Sequence, residues 1–290
     1  MRIPARLIVL CLVTCLPASS RADRPKASSP REKLVPAGMS RALIITGLPG
    51  DDAHEEQFAA IVKEWRTWLT DSLGFSAPEV RVLFGKEPRN GTGKPAAKDA
   101  VEKEIAALKQ ALQPNDRLWV FFLGHANYDG EHAYLHLPGR DLSAEELGKL
   151  FGALACREQV FWVTTPASGW FLKALSAKGR IVVTATVADD EYNETEFPQA
   201  LVTVSKRSRA QLDANHDDEV SILELYTQIV AEVNERFGKD KRVPTEHAQL
   251  DDNGDGIGTE QPSADKPGDG KKPADGALAA KTFLPLKRPG

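Results

Sequence analysis

Five short, almost wholly apolar runs, separated by segments with helical spacing, constrain the fold of this chain more than any other feature. The longest run, DRLWVFFL at 116–123, is typical of a strand that is covered on both faces. The intervening segments have apolar residues three and four positions apart, as amphipathic helices do. Strands that alternate with helices predict an α/β fold, with a mostly parallel sheet and helices on both faces. The predicted strands are 42–46, 80–84, 116–123, 160–164 and 181–187.

The first 22 residues, MRIPARLIVLCLVTCLPASSRA, predict a secretory signal peptide, because two arginines precede the apolar run 7–16. We expect cleavage before Asp23 and export to the periplasm or the extracellular space. One alternative is a lipoprotein signal with Cys15 modified, which is disfavoured because Thr14 stands where glycine or alanine is usual. Another is an uncleaved anchor, and no transmembrane helix is predicted after the signal.

The formal net charge of the chain is −4. Removal of the signal peptide takes away three arginines and no acidic residue, which changes the charge to −7. Phosphate binding requires a basic surface, so the sequence argues against nucleic acid as a partner.

Two of the three cysteines leave with the signal peptide, and Cys156 remains alone. Without a second thiol the exported protein has no internal disulfide, so its stability must come from its core or from metal. Cys156 precedes the predicted strand 160–164, and we interpret it as a small buried apolar residue at the opposite sheet edge from the strand ends.

Two loops with chemically useful residues follow neighbouring predicted strands. His125 follows the strand that ends at Leu123, and the loop 164–169 follows the next predicted sheet strand. The carboxyl ends of parallel strands share one sheet edge, where α/β proteins place their chemistry. If the two strands pair, about 4.8 Å separates them. A base and a nucleophile on the two loops would then be close enough to act together.

The segments FFLGHANYDG and FWVTTPASGW at these strand ends resemble the caspase-like fold. Within that fold they are most similar to the legumain-type (C13) cysteine peptidases and their bacterial relatives, over residues 41 to 205. In that family a His-Gly pair at the first strand end supplies the base. A cysteine in a Cys-x-Ser-Gly context at the second strand end supplies the nucleophile. The resemblance therefore implies a peptidase scaffold with His125 as its base.

Alignment of Ser168 and its following glycine with that context places Pro166 at the position of the nucleophilic cysteine. Proline has no nucleophilic side-chain atom, so the resemblance implies an inert site in which His125 is a relic base. The alternative is a live hydrolase with Ser168 or Thr165 as nucleophile and His125 as base. The simpler interpretation is that these hydroxyls and that of Thr164 satisfy backbone groups, Ser168 being the N-cap of the next helix.

His132 and His136 fall on one face of an alternating predicted strand, HAYLHL. Two histidines without a third ligand are only a weak indication of a metal site. We interpret both as solvated surface residues.

Residues 213–224, DANHDDEVSILE, match the EF-hand calcium loop position by position. Ca²⁺ is a hard ion that takes six to eight oxygen ligands, which this pattern supplies. Asp218 stands at the usual glycine position, but aspartate tolerates a left-handed backbone better than most residues. The less specific interpretation is an acidic, N-capped helix start. The predicted calcium ligands are Asp213, Asn215, Asp217, Glu219 through its carbonyl, Ser221 and Glu224.

A second acidic stretch, DDNGDGIG at 251–258, repeats the opening of this loop. Its twelfth position is Pro262, which has no side-chain oxygen, so Glu260 or a distant group would have to complete the site. The alternative is a solvated turn of Asp, Asn and Gly. The ligands of this weaker site would be Asp251, Asn253, Asp255 and Ile257.

Composition divides the rest of the chain. A polar, proline-rich stretch after the signal predicts a linker, and PSADKPGDGKKPADG predicts a mobile low-complexity tail. The last apolar segment, TFLPLKRP, is apolar enough to dock on the protein. The predicted organisation is a signal peptide (1–22), a linker (23–40), a caspase-like domain (41–205), a calcium-binding extension packed on it (206–260) and a tail (261–290).

Two functions from different classes follow from these patterns. The first is an exported, calcium-binding pseudo-peptidase that uses the old substrate cleft to bind a peptide or protein partner. The second is the live hydrolase described above. We expect calcium as a bound ion, with no nucleic acid and no membrane contact beyond the signal peptide.

Overall fold

The computed structural model describes residues 38–86, 93–152, 154–264 and 274–287. The predicted signal peptide and all but the end of the predicted linker lie outside these residues. The described residues belong to one compact unit that spans 36–290. None of the helices in the described ranges combines the length and the hydropathy of a membrane span.

A six-stranded sheet forms the centre of the fold, and a three-stranded antiparallel sheet lies beside it. The strands of the described residues are β1 (Ser40–Thr46), β2 (Val80–Phe84), β3 (Arg117–Leu123), β4 (Ala126–Tyr128), β5 (Ala133–Leu135), β6 (Leu142–Ser143), β7 (Glu158–Val163), β8 (Arg180–Thr184) and β9 (Gln249–Asp251). The order in the large sheet is β2-β1-β3-β7-β8-β9, and the order in the small one is β4-β5-β6. In the large sheet, β9 pairs antiparallel with β8 and the other neighbours are parallel. The predicted α/β fold with a mostly parallel sheet is confirmed.

Seven α-helices of the described residues surround this sheet, in addition to shorter π and 3-10 helical turns. They are α1 (Asp52–Thr67), α2 (Lys98–Ala111), α3 (Ala144–Gly152), α4 (Gly169–Leu175), α5 (Phe197–Ser205), α6 (Arg209–Leu212) and α7 (Ile222–Lys239). Helices α1, α5 and α7 share one apolar core with the sheet, and α2, α3 and α4 share the other. A capping box begins α3, because Ser143 Oγ accepts from Glu146 N at 3.2 Å and Glu146 Oε2 accepts from Ser143 N at 3.0 Å.

Strand β3 explains why its sequence is apolar at every position. Alternate side chains of a strand point to opposite faces of a sheet. Trp119 and Phe121 enter the core of α1, α5 and α7, whereas Val120 and Phe122 enter the core of α2, α3 and α4. All four side chains are at most 1% exposed, so helices on both faces require an uninterrupted apolar run.

The C-terminal segment 274–287 packs on the compact unit, although it lies inside the tail predicted over 261–290. Asp275 and Ala279 are buried, and Leu284 N donates to Val220 O at 2.8 Å. Ile222 N, at the start of α7, donates to Thr282 O at 2.8 Å. The apolar end of the chain therefore docks beside the first acidic loop. The rest of the low-complexity run, 265–273, lies outside the described residues.

Candidate functional site

The carboxyl ends of β3 and β7 bring His125 and the loop 164–168 to one edge of the sheet. The two strands are parallel neighbours with Phe122 opposite Val163, so the pairing that the sequence prediction required is present. His125 follows β3 after Gly124, and Thr164 follows β7 directly. The sequence therefore placed the two loops in the correct strands and at the correct ends.

His125 takes its contacts from the β1–α1 connection and from α1. Its Nε2 lies 2.9 Å from Pro49 O. Its ring centroid lies 5.3 Å from that of His54 and 5.8 Å from that of Phe58. The imidazole is half-buried in this position.

The loop after β7 is buried from Thr164 to Gly169, and Pro166 lies in its middle. Thr164 Oγ1 donates to Phe122 O at 2.7 Å, and Ser168 Oγ accepts from Thr186 N at 2.9 Å. Thr165 Oγ1 is buried and has no hydrogen-bond partner among the described residues. None of the hydrogen bonds in the described part of the chain joins these hydroxyls to His125.

Ser168 does not cap α4 as expected from the sequence. It stands at the N-cap position with helical backbone angles, φ −65° and ψ −27°, and makes no side-chain cap bond. Thr186 Oγ1 accepts from Gly169 N at 3.1 Å, and the Ser168 hydroxyl lies 3.1 Å from the same oxygen. Strand β8 ends at Thr184, which lets Thr186 reach this helix start and replace the expected cap.

Residues 187–196, which we name the covering segment, close over this loop. Thr195 Oγ1 donates to Thr164 O at 2.6 Å, and Ala167 N donates to Glu191 O at 3.0 Å. A Cβ on Gly169 would lie 2.2 Å from the carbonyl carbon of Val187, so the two backbones approach each other too closely for any side chain. The covering segment therefore buries the loop that contains Pro166.

Glu191 anchors the covering segment. Its Oε2 accepts from Val187 N at 2.9 Å and from His247 N at 3.0 Å, and its Oε1 contacts His247 Nδ1. The Glu191 carboxylate raises the pKa of His247 above its ordinary value. Nothing in the local sequence around 191 signals this role, because the partners are distant in the chain.

His132, His136 and Cys156 lie outside the group formed by His125 and the loop after β7. His132 Nδ1 lies 3.4 Å from Glu145 Oε1, and His136 Nδ1 lies 3.0 Å from Asp141 Oδ2. Cys156 is half-buried at the amino end of β7, where burial raises the pKa of its thiol to about 11. A thiol with this pKa is not a thiolate nucleophile near neutral pH.

The first acidic loop, 213–224, turns its side-chain oxygens inward onto its own backbone. Asp213 Oδ2 accepts from Asp218 N at 2.9 Å, Asn215 Oδ1 accepts from Asp217 N at 2.9 Å, and Asp217 Oδ1 accepts from Glu219 N at 2.9 Å. Asp218 has φ 67°, the left-handed conformation expected at the sixth position of a calcium loop.

Glu224 closes this loop from the first turn of α7. Its Oε1 accepts from Ala214 N at 2.9 Å, and its Oε2 accepts from Ser221 Oγ at 2.8 Å. These donors stand at the second and ninth positions of the loop. The carboxylate at the twelfth position therefore links the beginning of the loop to its second half.

The second acidic loop, which begins at Asp251, has the same internal frame. Asp251 Oδ2 accepts from Gly256 N at 3.0 Å, Asn253 Oδ1 accepts from Asp255 N at 2.9 Å, and Asp255 Oδ1 accepts from Ile257 N at 2.9 Å. Gly256 has φ 77° at the sixth position. The offsets along the chain are the same three as in the first loop.

Asp275 closes the second loop in place of the residue that Pro262 cannot supply. Its Oδ1 accepts from Asp252 N at 3.2 Å, and its Oδ2 accepts from Thr259 Oγ1 at 2.8 Å. These donors again stand at the second and ninth positions, so Asp275 makes the two bonds that Glu224 makes in the first loop. Burial raises the pKa of Asp275 to about 6, and the charge of Asp251 adds to this.

Asp252 fixes the segment that carries Asp275. Its Oδ1 accepts from Gly276 N at 3.0 Å, and its Oδ2 accepts from Leu278 N at 2.8 Å and Ala279 N at 2.7 Å. The sequence indicated that Glu260 or a distant group must complete this loop, but no spacing rule identified Asp275.

No protein-family model matches this chain, and no curated protein matches it. The solved structures that are similar to it include the following three. Protein GSU0716 from Geobacter sulfurreducens is 15% identical, with 73% of this chain and 92% of that chain covered and a TM-score of 0.45. Caspase-1 from Spodoptera frugiperda is 14% identical, with 74% and 88% covered and a TM-score of 0.47. The Drosophila initiator caspase Dronc is 10% identical, with 76% and 81% covered and a TM-score of 0.44.

Proposed function

We propose that this protein is an exported, calcium-binding relative of the caspase-like, legumain-type (C13) peptidases, without peptidase chemistry of its own. In this proposal the scaffold binds a peptide or protein partner, and calcium stabilises it. The single observation that carries the calcium part is the common frame of the two acidic loops, each closed by a carboxylate, Glu224 in one and Asp275 in the other.

The inert part of the proposal rests on the surroundings of His125. The nucleophile position of the resemblance holds Pro166, which offers no lone pair for attack on a carbonyl. A serine nucleophile needs a base within hydrogen-bond reach and access to substrate. The Ser168 hydroxyl is 0% exposed and is engaged by Thr186, which speaks against the alternative of a live hydrolase with Ser168.

Calcium chemistry suits the two loops. Ca²⁺ takes carboxylate, amide, hydroxyl and carbonyl oxygens, and these are the groups at the inward positions of both loops. In the first loop the ion would be held by the six predicted residues from Asp213 to Glu224. In the second it would be held by Asp251, Asn253, Asp255, the carbonyl of Ile257 and Asp275.

The two proposed calcium sites share one structural element, the segment 274–287. Its first part supplies Asp275 to the second loop, and its last part pairs with the backbone of the first loop between Val220 and Ile222. Calcium in both loops would therefore hold this segment at two points. Binding at each loop would stabilise the docking of the same C-terminal segment.

The partner would bind in a cavity beside the β1–α1 connection, whose Pro49 contacts His125. This cavity of about 520 Å³ is lined by residues of the β1–α1 connection, by Asp52 and Glu55 of α1, and by residues 84–86. Its size suits one or a few side chains of a bound peptide.

Calcium titration by isothermal calorimetry tests the proposal. We expect two equivalents for the wild-type protein, and one equivalent for Asp275→Asn, which keeps the size of the side chain and removes its charge. Glu260→Gln is the matched control, because Glu260 is the other acidic residue near the end of the second loop, and it should retain two equivalents. Loss of a calcium equivalent in Glu260→Gln but not in Asp275→Asn would overturn the assignment, and no binding at millimolar calcium would overturn the calcium proposal itself.

A further inference from the structure

We propose that His54, His125 and Glu194 form a binding site for a divalent transition-metal ion such as Zn²⁺. This site is separate from the two acidic loops and goes beyond the proposed function. Neither His54 nor Glu194 is marked by any pattern in the sequence.

The three residues come from three elements that meet at the carboxyl edge of the sheet. His54 lies in the first turn of α1, His125 follows β3, and Glu194 lies in the covering segment. One ligand atom of each lies within 4.8 Å of the ligand atoms of the other two. His54 Nε2 lies 2.5 Å from Glu194 Oε1. Donor atoms around a tetrahedral zinc ion lie about 3.3 Å apart, given bonds of about 2.0–2.1 Å, so side-chain adjustments of about 1–1.5 Å suffice.

Each imidazole has an oxygen of the kind that metal-binding histidines use beside one ring nitrogen, although the approach of Asp51 to His54 Nδ1 is an ion-pair contact without hydrogen-bond geometry. His54 Nδ1 lies 2.8 Å from Asp51 Oδ1, and His125 Nε2 lies 2.9 Å from Pro49 O. A carboxylate or a carbonyl on one ring nitrogen orients the ring and leaves the other nitrogen for a metal. The orientation is supported further by Phe58, whose ring lies 6.0 Å from that of His54 and 5.8 Å from that of His125.

The supporting backbone is also fixed. Asp51 is the N-cap of α1 and accepts from His54 N at 2.9 Å, which ties the carboxylate to the histidine that it orients. Beside Glu194, Thr195 Oγ1 donates to Thr164 O at 2.6 Å and holds the covering segment on the loop after β7. Helix α1, the connection after β3 and the anchored covering segment thus present the three donors.

The donor set selects the class of ion. Two imidazole nitrogens with one carboxylate oxygen suit Zn²⁺ and its neighbours, whereas Ca²⁺ prefers a shell of oxygens. Zinc with three protein ligands keeps a fourth position for water. Glu194 is exposed and both histidines are half-buried, so solvent has access to that position.

The test is a Zn²⁺ titration of the full protein by calorimetry, with calcium in large excess to saturate the acidic loops. We expect one equivalent of zinc in the wild-type protein. Asp51→Asn keeps the helix cap and removes the outer carboxylate, and it should weaken zinc binding by roughly 10- to 100-fold. His54→Ala should weaken it by more than that, and His132→Ala should leave it unchanged, because His132 is exposed and paired with Glu145 elsewhere.

Co²⁺ replaces Zn²⁺ for a second readout. A tetrahedral Co²⁺ absorption band in the wild-type protein that is lost in His54→Ala and kept in His132→Ala supports the site, and melting curves without metal verify that both variants fold. Wild-type zinc affinity in His54→Ala, or no zinc binding in the wild-type protein, overturns the proposal. Because calcium is saturating throughout, neither result bears on the calcium loops.

Discussion

Calcium is expected to raise the melting temperature of the protein by about 5–10 °C for each saturated loop. Glu224→Ala is expected to abolish the part of this shift that comes from the first loop. A ligand at about 100 times its dissociation constant stabilises the folded state by about 2.7 kcal/mol. In a domain of 150–250 residues, each kcal/mol raises the melting temperature by about 2–4 °C. Glu224 supplies the closing carboxylate of the loop, so its loss should abolish binding there.

The matched control for this experiment is Glu219→Gln. Glu219 belongs to the same loop, but the predicted ligand is its backbone carbonyl, so the variant loses a charge and keeps the ligand. Glu224 also takes part in the capping box that begins α7, so Glu224→Ala lowers stability even without calcium. The quantity to compare is therefore the shift that calcium causes in each variant. If millimolar calcium raises the melting temperature of Glu224→Ala as much as that of the wild-type protein, the first loop is not a calcium site.

Glu246 is expected to make the free energy of unfolding fall between about pH 4.5 and pH 8. Its side chain is 4% exposed, and burial raises the pKa of its carboxyl from 4.5 to about 8, with the charge of Glu196 adding to the effect. Its Oε2 accepts from Glu196 N at 2.5 Å, at the start of α5. Arg236 and Arg242 pair with Glu196 and not with Glu246 among the described ion pairs.

The sign follows from the protons that each state binds. Between the two pKa values, unfolded Glu246 is ionised and folded Glu246 keeps its proton, so raising the pH favours the unfolded state. The stabilisation is complete below pH 4.5 and is lost as the pH passes about 8. A shift of this size corresponds to at most about 5 kcal/mol.

Urea unfolding at pH 5 and pH 8 measures this effect. Glu246→Gln removes the titrating carboxyl. Its free energy of unfolding, relative to that of the wild-type protein, should therefore be higher at pH 8 than at pH 5 by a few kcal/mol. His54 and His247, whose pKa values are also raised, contribute slopes of the same sign, so the comparison of variants is decisive. Glu235→Gln, at an exposed residue of α7, is the control. Parallel pH profiles for Glu246→Gln and the wild-type protein would contradict the argument.

The elements predicted correctly are those whose signal is local. An apolar run such as that of β3 is visible without any knowledge of its neighbours, and alternation of such runs with helical segments predicts a mostly parallel sheet. The backbone frame of the first acidic loop is also local, because its hydrogen bonds and its left-handed Asp218 lie within twelve successive positions, and its calcium ligands stay a prediction. His125 was placed because parallel strands end at a common edge.

The features that sequence reasoning missed depend on contacts between distant residues. Asp275 meets Thr259 only because Asp252 holds the backbone from Gly276 to Ala279. Composition suggested a mobile tail there, since a low-complexity run gives no sign of the buried contacts that its flanks make. Ser168 was assigned as a cap from its position before a helix, and Thr186 took that role through a contact between two strand ends. The proximity of His54 and His125 also could not be read from the sequence, because the two residues are far apart in the chain and their rings meet only in the folded structure.

The most direct test of the central claim is the turnover of a peptide library by the wild-type protein in the presence of calcium, with His125→Ala measured in parallel. We predict no cleavage above background for either protein, because Pro166 offers no nucleophile and the Ser168 hydroxyl is buried against Thr186. Cleavage by the wild-type protein that disappears in His125→Ala would mean that His125 still acts as a base. That result would contradict the account.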